Sequence, residues 1–229
     1  MRLDQAVAAR FPHISRRQAR ELIAQRRVLV NERAVKIASR EVKDGDRIAV
    51  VEETPALEII KVTEDFVAVN KPGGMPTQAT RDRKQRSLEE LLRTQFKSIY
   101  LVHRLDTGTS GVVVFARTSE AAARLSKPFS SREMQRTYLA RLEPPLRQRA
   151  VIETPIAGKD AYTEAEPRGE IAQVRIRTGR THQIRIHMAE IGHAVRTLHA
   201  WKLEHASLGV LEAPPPDDLI RSAPEWNKS

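Results

Sequence analysis

Apolar and polar positions recur along this chain at spacings that predict a succession of short helices and strands. Ala19, Leu22 and Ile23 fall at i, i+3 and i+4, the stripe of a helix with one buried face. Ser15, with Gln18 three residues on, forms a capping box that opens this helix. Val28-Leu29-Val30 reads as a strand with a turn at Asn31-Glu32, and the turn Asp44-Gly45-Asp46 leads into a strand from Arg47 to Val51. Glu52-Glu53-Thr54-Pro55-Ala56 is short and polar and predicts a linker. Beyond it, Leu57 to Val62 and Phe66 to Val69 predict a hairpin about Thr63-Glu64-Asp65. Asn70 to Pro76 is a turn-rich loop, and a second capping box, Ser87 with Glu90, opens a helix running to about Phe96. Val112 to Ala116 is apolar enough for a buried strand, after which Thr118 or Ser119 caps an alanine-rich helix. Periodicity leaves Thr181 to Met188 open. A strand would place Gln183, Arg185 and His187 on one side; a helix would bring Gln183 and His187 together and set Arg185 apart.

Composition narrows the function classes. The 229 residues suffice for one large or two modest domains without disulfides, and cysteine is absent. Thiolate metal sites are thereby excluded and a cytoplasmic setting is expected. No apolar run approaches the length of a membrane span, and the first residues do not resemble a signal peptide. A formal charge of +10 favours a polyanionic partner, because phosphate contacts release counterions. Residues 1–40 hold ten of the cations (Arg2, Arg10, Arg16, Arg17, Arg20, Arg26, Arg27, Arg33, Lys36, Arg40) against three acids (Asp4, Glu21, Glu32). Arg16, Arg17 and Arg20 lie off the apolar stripe of the first helix and are expected to group there as a basic face. With aromatics at 4%, binding by serial base stacking is disfavoured.

Two segments concentrate chemistry. His103-Arg104-Leu105-Asp106 lies in a Gly- and Thr-rich turn at the mouth of the buried strand. Its carboxylate suits an active site, and equally suits a turn in which Asp satisfies backbone amides. The second segment runs from Thr178-Gly179-Arg180 through His182 to His187. The spacing of its two histidines fits neither a helix face nor a strand face, and no HExxH pattern occurs, so no metal site is expected.

The first fifty residues resemble the small RNA-binding domain named after a small-subunit ribosomal protein. The match runs through Arg2-Leu3-Asp4, Ser15 to Ile23, Val28 to Asn31 and Val42 to Asp46. Residues 57 to about 217 resemble the RluA-type, large-ribosomal-subunit family of pseudouridine synthases. That match rests on Asn70-Lys71-Pro72-Gly73-Gly74, His103-Arg104-Leu105-Asp106 with Thr109-Ser110-Gly111, Arg136-Thr137-Tyr138-Leu139-Ala140, and Thr178 to Arg185, continued by Ile191-Gly192-His193 and Leu198-His199-Ala200.

The resemblance implies an α+β architecture: a small RNA-binding domain (1–52), then a catalytic domain (57–225) with a mixed, largely antiparallel sheet, flanking helices and a central cleft. It implies isomerisation of uridine to pseudouridine in RNA, ribosomal RNA favoured over transfer RNA. Because that reaction neither gains nor loses atoms, no cofactor or metal is expected. Asp106 matches the catalytic aspartate, acting on the ribose as nucleophile or as base. Arg185 matches the arginine that pairs with it. Tyr138, otherwise an ordinary strand aromatic, matches the tyrosine that packs against the base. Arg104 matches the arginine that fills the space of the extruded base, or else it contacts phosphate. His103 is expected to be structural, and Arg180 and His182 to orient the loop or touch RNA. One departure stands out: the family's loop after the glycine-histidine pair is essentially missing, so that Gly192-His193 runs almost directly into Leu198-His199-Ala200. A monomer is expected. The competing reading is a non-catalytic RNA-binding protein that retains the fold.

Overall fold

The computed structural model describes residues 1–12, 14–51, 57–80 and 86–220. The predicted linker at 52–56 and residues 221–225 of the predicted second domain lie outside them. Contacts separate into two compact units: the first holds the described residues up to Val51 together with Thr80, the second the others from Leu57 on.

In the first unit, α1 (Leu3–Arg10) and α2 (Arg16–Ala24) precede β1 (Val28–Val30), β2 (Arg33–Ala34) and β3 (Ile48–Val50), which form a sheet in the order β2-β1-β3. The capping box at Ser15 and Gln18 is formed, and Ala19 and Ile23 enter a core with Leu3, Val7, Val28 and Val30. The arginines of α2 do not form one group. Arg16 and Arg20, one turn apart, converge on the buried Asp4 carboxylate at 3.0 and 2.9 Å, joined by Arg2 at 3.2 Å. Arg17 turns instead to Glu21. Burial alone would raise the Asp4 pKa, but the bonds from Arg20, Arg16 and Arg2 outweigh it and hold the carboxyl at about 2. The buried acid thus anchors two cations whose side chains remain about half exposed.

The second unit is built on one sheet with flanking helices. Its elements in chain order are β4 (Glu58–Val62), β5 (Phe66–Lys71), α3 (Leu88–Arg93), β6 (Tyr100–Leu101), β7 (Thr109–Ala116), α4 (Ser119–Ser130), β8 (Gln135–Glu143), β9 (Ala150–Ile152), β10 (Thr163–Arg168), β11 (Ile171–Ile176), α5 (Gln183–Glu190), β12 (Ala194–His205), β13 (Gly209–Glu212) and α6 (Asp217–Ile220). The sheet order is β4-β5-β7-β12-β8-β11-β10-β9, with β6 on β7 and β13 on β12. Among the described residues every pairing is antiparallel except β7 with β12.

Strands β5 and β7 are buried on both faces, which is why they read as apolar runs. Val67, Val69, Val113 and Phe115 pack toward α3 and α5. Their alternates Phe66, Ala68, Val112 and Val114 pack toward α4.

Among the boundaries that differ from the predicted ones, two have a plain physical reason. The α3 helix ends at Arg93 because its last turn tightens: Thr94 and Gln95 donate to the carbonyls three residues back. Strand β7 starts at Thr109, earlier than its apolar run, because Thr109, Ser110 and Gly111 pair in parallel with Leu198, His199 and Ala200. Only glycine fits at 111: φ is +112°, and a Cβ there would lie 2.1 Å from the Ala200 carbonyl oxygen. The missing loop after His193 is replaced by continuous strand, since β12 begins at Ala194 already paired with Glu143. No described helix is long and apolar enough to cross a membrane.

Candidate active site

Residues 102–108 leave the sheet between β6 and β7 and carry Asp106 to the wall of a cavity of about 600 Å³. The backbone around Asp106 is held at several points by the loop after β5. Thr77 Oγ donates to the Leu105 carbonyl at 2.7 Å and accepts from the Leu105 amide at 3.1 Å. The Thr107 carbonyl accepts from the Gly74 amide at 2.8 Å and from Lys71 Nζ at 3.3 Å. Asp106 itself closes a turn, its carbonyl accepting from the Thr109 amide at 2.9 Å.

Lys71 is fully buried and also donates to the Met75 and Pro72 carbonyls. Burial pulls its pKa down to about 8, and the charge of Asp106 acts in the opposite sense. His103 fixes the other side of the loop. Its Nε2 accepts from the Val114 amide at 3.0 Å, and its ring stacks on Phe129 at 4.4 Å. Enclosure, reinforced by Arg136, pushes the imidazole down to about 3, so this histidine is held neutral.

These anchors involve backbone and neighbours, never the carboxylate of Asp106. Among the described residues its oxygens accept no hydrogen bond, and the cation within 4 Å is His182 Nε2, at 3.7 Å, charged only when protonated. The turn-satisfying reading of Asp106 therefore finds no counterpart here. His182 reaches it because the residue adopts the left-handed region (φ 55°) at the start of α5.

Thr181 to Met188 is resolved as helix rather than strand, from Gln183 onward. Gln183 and His187 come together on its buried face, and their partners explain the choice. Gln183 accepts from Thr178 Oγ and the Arg180 amide and donates to Thr163 Oγ and the Tyr162 carbonyl. His187 bonds Thr163 Oγ and the Thr154 carbonyl. Every side-chain polar atom of this buried pair is thus satisfied, from Thr154, from Tyr162 and Thr163 at the start of β10, and from the loop after β11.

Arg185 stands apart from that face and enters the cavity wall. The implied ion pair with Asp106 is not formed: no contact within 4 Å links them. Arg185 Nη1 instead donates to the Val195 carbonyl at 3.1 Å, and Nη2 lies 3.7 Å from where a Cβ on Gly108 would sit. The first residues of β12 supply that carbonyl. Tyr138, on β8, is almost fully buried and lines the same cavity. Burial raises its pKa, Arg136 opposes this, and Asp106 adds to it. Arg104 is exposed at the cavity's rim, and Arg180 is held by the Asp160 carbonyl at 2.9 Å. The structure thus brings Asp106, Tyr138, Arg185, Arg104 and Arg180 to one cavity. Arg16, Arg17 and Arg20 belong to the other unit.

Sequence reasoning assigned no role to Lys71, Thr77 or Arg136. The first and last sit in motifs already singled out, but nothing local marks Thr77. Among the described residues no group of three or more His, Asp or Glu side chains gathers as a metal ion would require.

The chain is similar to known proteins over most of its length. The family described as RNA pseudouridylate synthase matches residues 65–190, and an S4 domain matches residues 1–48. An RNA pseudouridine synthase of Aquifex aeolicus is 31% identical, across 85% of this chain and 74% of the relative. The ribosomal large subunit pseudouridine synthase D of Escherichia coli is 30% identical, across 84% and 70%. Among solved structures, human RNA pseudouridylate synthase domain containing 1 superposes with a TM-score of 0.59 at 23% identity, covering 74% of this chain and 87% of that one. Human RNA pseudouridylate synthase domain containing 4 gives 0.60 at 19%, covering 72% and 91%. At those identities the two structures speak for the fold alone.

Proposed function

The chain belongs to the RNA pseudouridylate synthase family, and from that membership we propose that Asp106 carries the conversion of uridine to pseudouridine in a structured RNA, ribosomal RNA first. The observation that supports this is a carboxylate whose flanking backbone is braced on both sides while its own oxygens are left unengaged, facing a cationic cavity. A protein that merely binds RNA has no use for such a group.

The reaction needs three things: attack on or proton removal from the ribose, a place for the detached base, and access to a nucleotide normally stacked in RNA. Asp106 acts on the ribose, by adding to C1′ or by taking a ribose proton. Both routes start from an ionised carboxylate with free lone pairs. Arg185, whose guanidinium reaches the same loop, closes onto Asp106 or the adjoining phosphate when RNA fills the cavity. The Tyr138 ring forms the wall against which the base packs, and its raised pKa keeps the phenol protonated, able to donate. Arg104, exposed at the rim, enters the gap left by the extruded base. Arg16, Arg17 and Arg20 hold the RNA backbone, two of them aimed by Asp4. The choice of ribosomal RNA follows the name of the Escherichia coli relative.

Pseudouridine mapping of total RNA with and without the gene tests this reading. One or a few sites, in large-subunit ribosomal RNA, should disappear in its absence. Asp106→Asn should abolish turnover while leaving RNA affinity within about tenfold, roughly 1.4 kcal/mol. Persistence of every site, or an active Asp106→Asn enzyme, defeats the proposal.

A further inference from the structure

A cation in the cavity wall has no use in the roles given so far. Arg136 lies on β8 two residues before Tyr138, on the same face, and lines the same cavity. It is only 8% exposed. A guanidinium carries five N–H donors. Among the described residues only Nη2 has a protein acceptor, the Arg177 carbonyl at 2.8 Å. Nε is buried and bonds to nothing, and Nη1 makes no hydrogen bond among the described residues. No described carboxylate lies within 4 Å of it. The nearest π surface, Phe129, is 5.9 Å away. Burial without an anion is costly, and it pulls the Arg136 pKa down. Native structures seldom bury a charge with most of its donors idle unless a ligand completes them.

The neighbouring loop is cut to fit this group. Gly179 does not adopt positive φ, so conformational freedom is not its reason for being glycine. A Cβ there would lie 2.7 Å from Arg136 Nη1. The glycine keeps open the space in which the guanidinium sits.

The chemistry of the reaction supplies the missing anion. When the N1–C1′ bond breaks, its electron pair stays with uracil, and the negative charge spreads over N1, O2 and O4. After the base turns, C5 gives an electron pair to C1′ as the bond to Asp106 breaks, or as the ribose regains the proton that Asp106 took; the proton then leaves C5, and N1 ends protonated. Between these two bond changes the base is an anion beside Tyr138.

We propose that Arg136 is a further catalytic residue, which donates its idle N–H groups to a carbonyl oxygen of the detached uracil anion and stabilises it until the new C–C bond forms. This rests on the assignment of the cavity around Asp106 as the active site. The site is a pocket for a delocalised oxyanion, built in the wall that also carries the aromatic face for the base. A preorganised donor to developing charge contributes to rate far more than to ground-state binding.

The test is single-turnover conversion of an in vitro transcript of large-subunit ribosomal RNA, made with uridine or with 5-fluorouridine. Fluorine at C5 already stabilises the departing anion. Consumption of the target nucleotide is read by nuclease digestion and mass spectrometry. Arg136→Met should slow the uridine transcript by about 100-fold, the usual scale for one oxyanion donor, with RNA affinity within about threefold. Arg136→Lys should recover part of the rate. The deficit of both should shrink by about tenfold on the fluorinated transcript, which a merely structural role would not produce. If Arg136→Met does not fold, Gly179→Ala, which displaces the guanidinium without removing it, should show a smaller deficit with the same fluorine dependence. Rates for Arg136→Lys and Gly179→Ala equal to the wild type, or equal deficits on the two transcripts, overturn the proposal. Asp106→Asn is run alongside. If it is inactive while the Arg136 variants are at full speed, this inference fails alone. If it is active, the reading of the cavity fails first.

Discussion

Replacing Thr77 by valine tests whether the loop around Asp106 is held as described. Valine keeps the shape and removes the hydroxyl, so no cavity forms. What changes is that the Leu105 amide and carbonyl lose their partner, a single oxygen that serves both at 3.1 and 2.7 Å. Thr77 and Leu105 are 3% and 6% exposed, so water cannot readily replace it. An unsatisfied buried backbone group costs about 1–3 kcal/mol. Two of them predict a loss of about 2–6 kcal/mol, hence a fall in Tm of roughly 4–24 °C for a domain of this size. Leu105 precedes Asp106 directly, so relaxation of the loop also moves the carboxylate. A displacement of about 1 Å costs on the order of 100-fold in rate. Thermal unfolding followed by circular dichroism reads the first effect, and single-turnover kinetics on saturating RNA reads the second. RNA affinity should hardly change, and Thr77→Ser, which keeps the hydroxyl, should restore most of both losses. A Thr77→Val enzyme with wild-type Tm and wild-type rate would show that the Thr77 hydroxyl does not hold the loop.

Three other expectations follow from the same structure. Replacing Arg16 and Arg20 with alanine should lower the slope of log affinity against log salt by about two, near 0.9 for each phosphate that is no longer neutralised; an unchanged slope removes these cations from the RNA interface. His103 is held neutral to about pH 3 in the folded state and takes up a proton below about 6.5 when unfolded, so stability rises with pH across that window and is level above it. The change is about 1.4 kcal/mol per pH unit. Asp4 contributes in the same direction only below its unfolded value near 3.8, so urea unfolding of wild type and His103→Asn between pH 4 and 7 isolates the histidine, and parallel pH profiles would refute its burial in the neutral form. Gly111→Ala should destabilise the second unit by about 3 kcal/mol or more, through positive φ and collision with Ala200 across the β7–β12 pairing; an unchanged urea midpoint would contradict that close approach.

The sequence by itself determined whatever depends on residues a few positions apart. Both capping boxes formed because Ser15 with Gln18, and Ser87 with Glu90, lie three residues apart, the reach of one helical turn. The turn at Asn31-Glu32 formed with both residues at positive φ. The apolar run of β7 announced a buried strand. Motif order also carried the family, because several separate segments in register are hard to match by accident.

Tertiary structure decided what distant partners control. Whether Thr181 to Met188 is helix or strand turned on Thr163 and Thr154, which receive Gln183 and His187 from another part of the sheet. The early start of β7 came from β12, some ninety residues later, as the register of Thr109 with Leu198 shows. Arg16 and Arg20 look like a free basic face in the chain; the burial of Asp4 makes them a clamp. Asp106 shows the division most clearly. Its place in the motif was legible, but the freedom of its oxygens was not, since that depends on Thr77, Lys71 and Gly74 taking up the surrounding backbone from 28 to 36 residues away. Local pattern records which side chains are available; long-range hydrogen bonding and burial decide which of them are left free for chemistry.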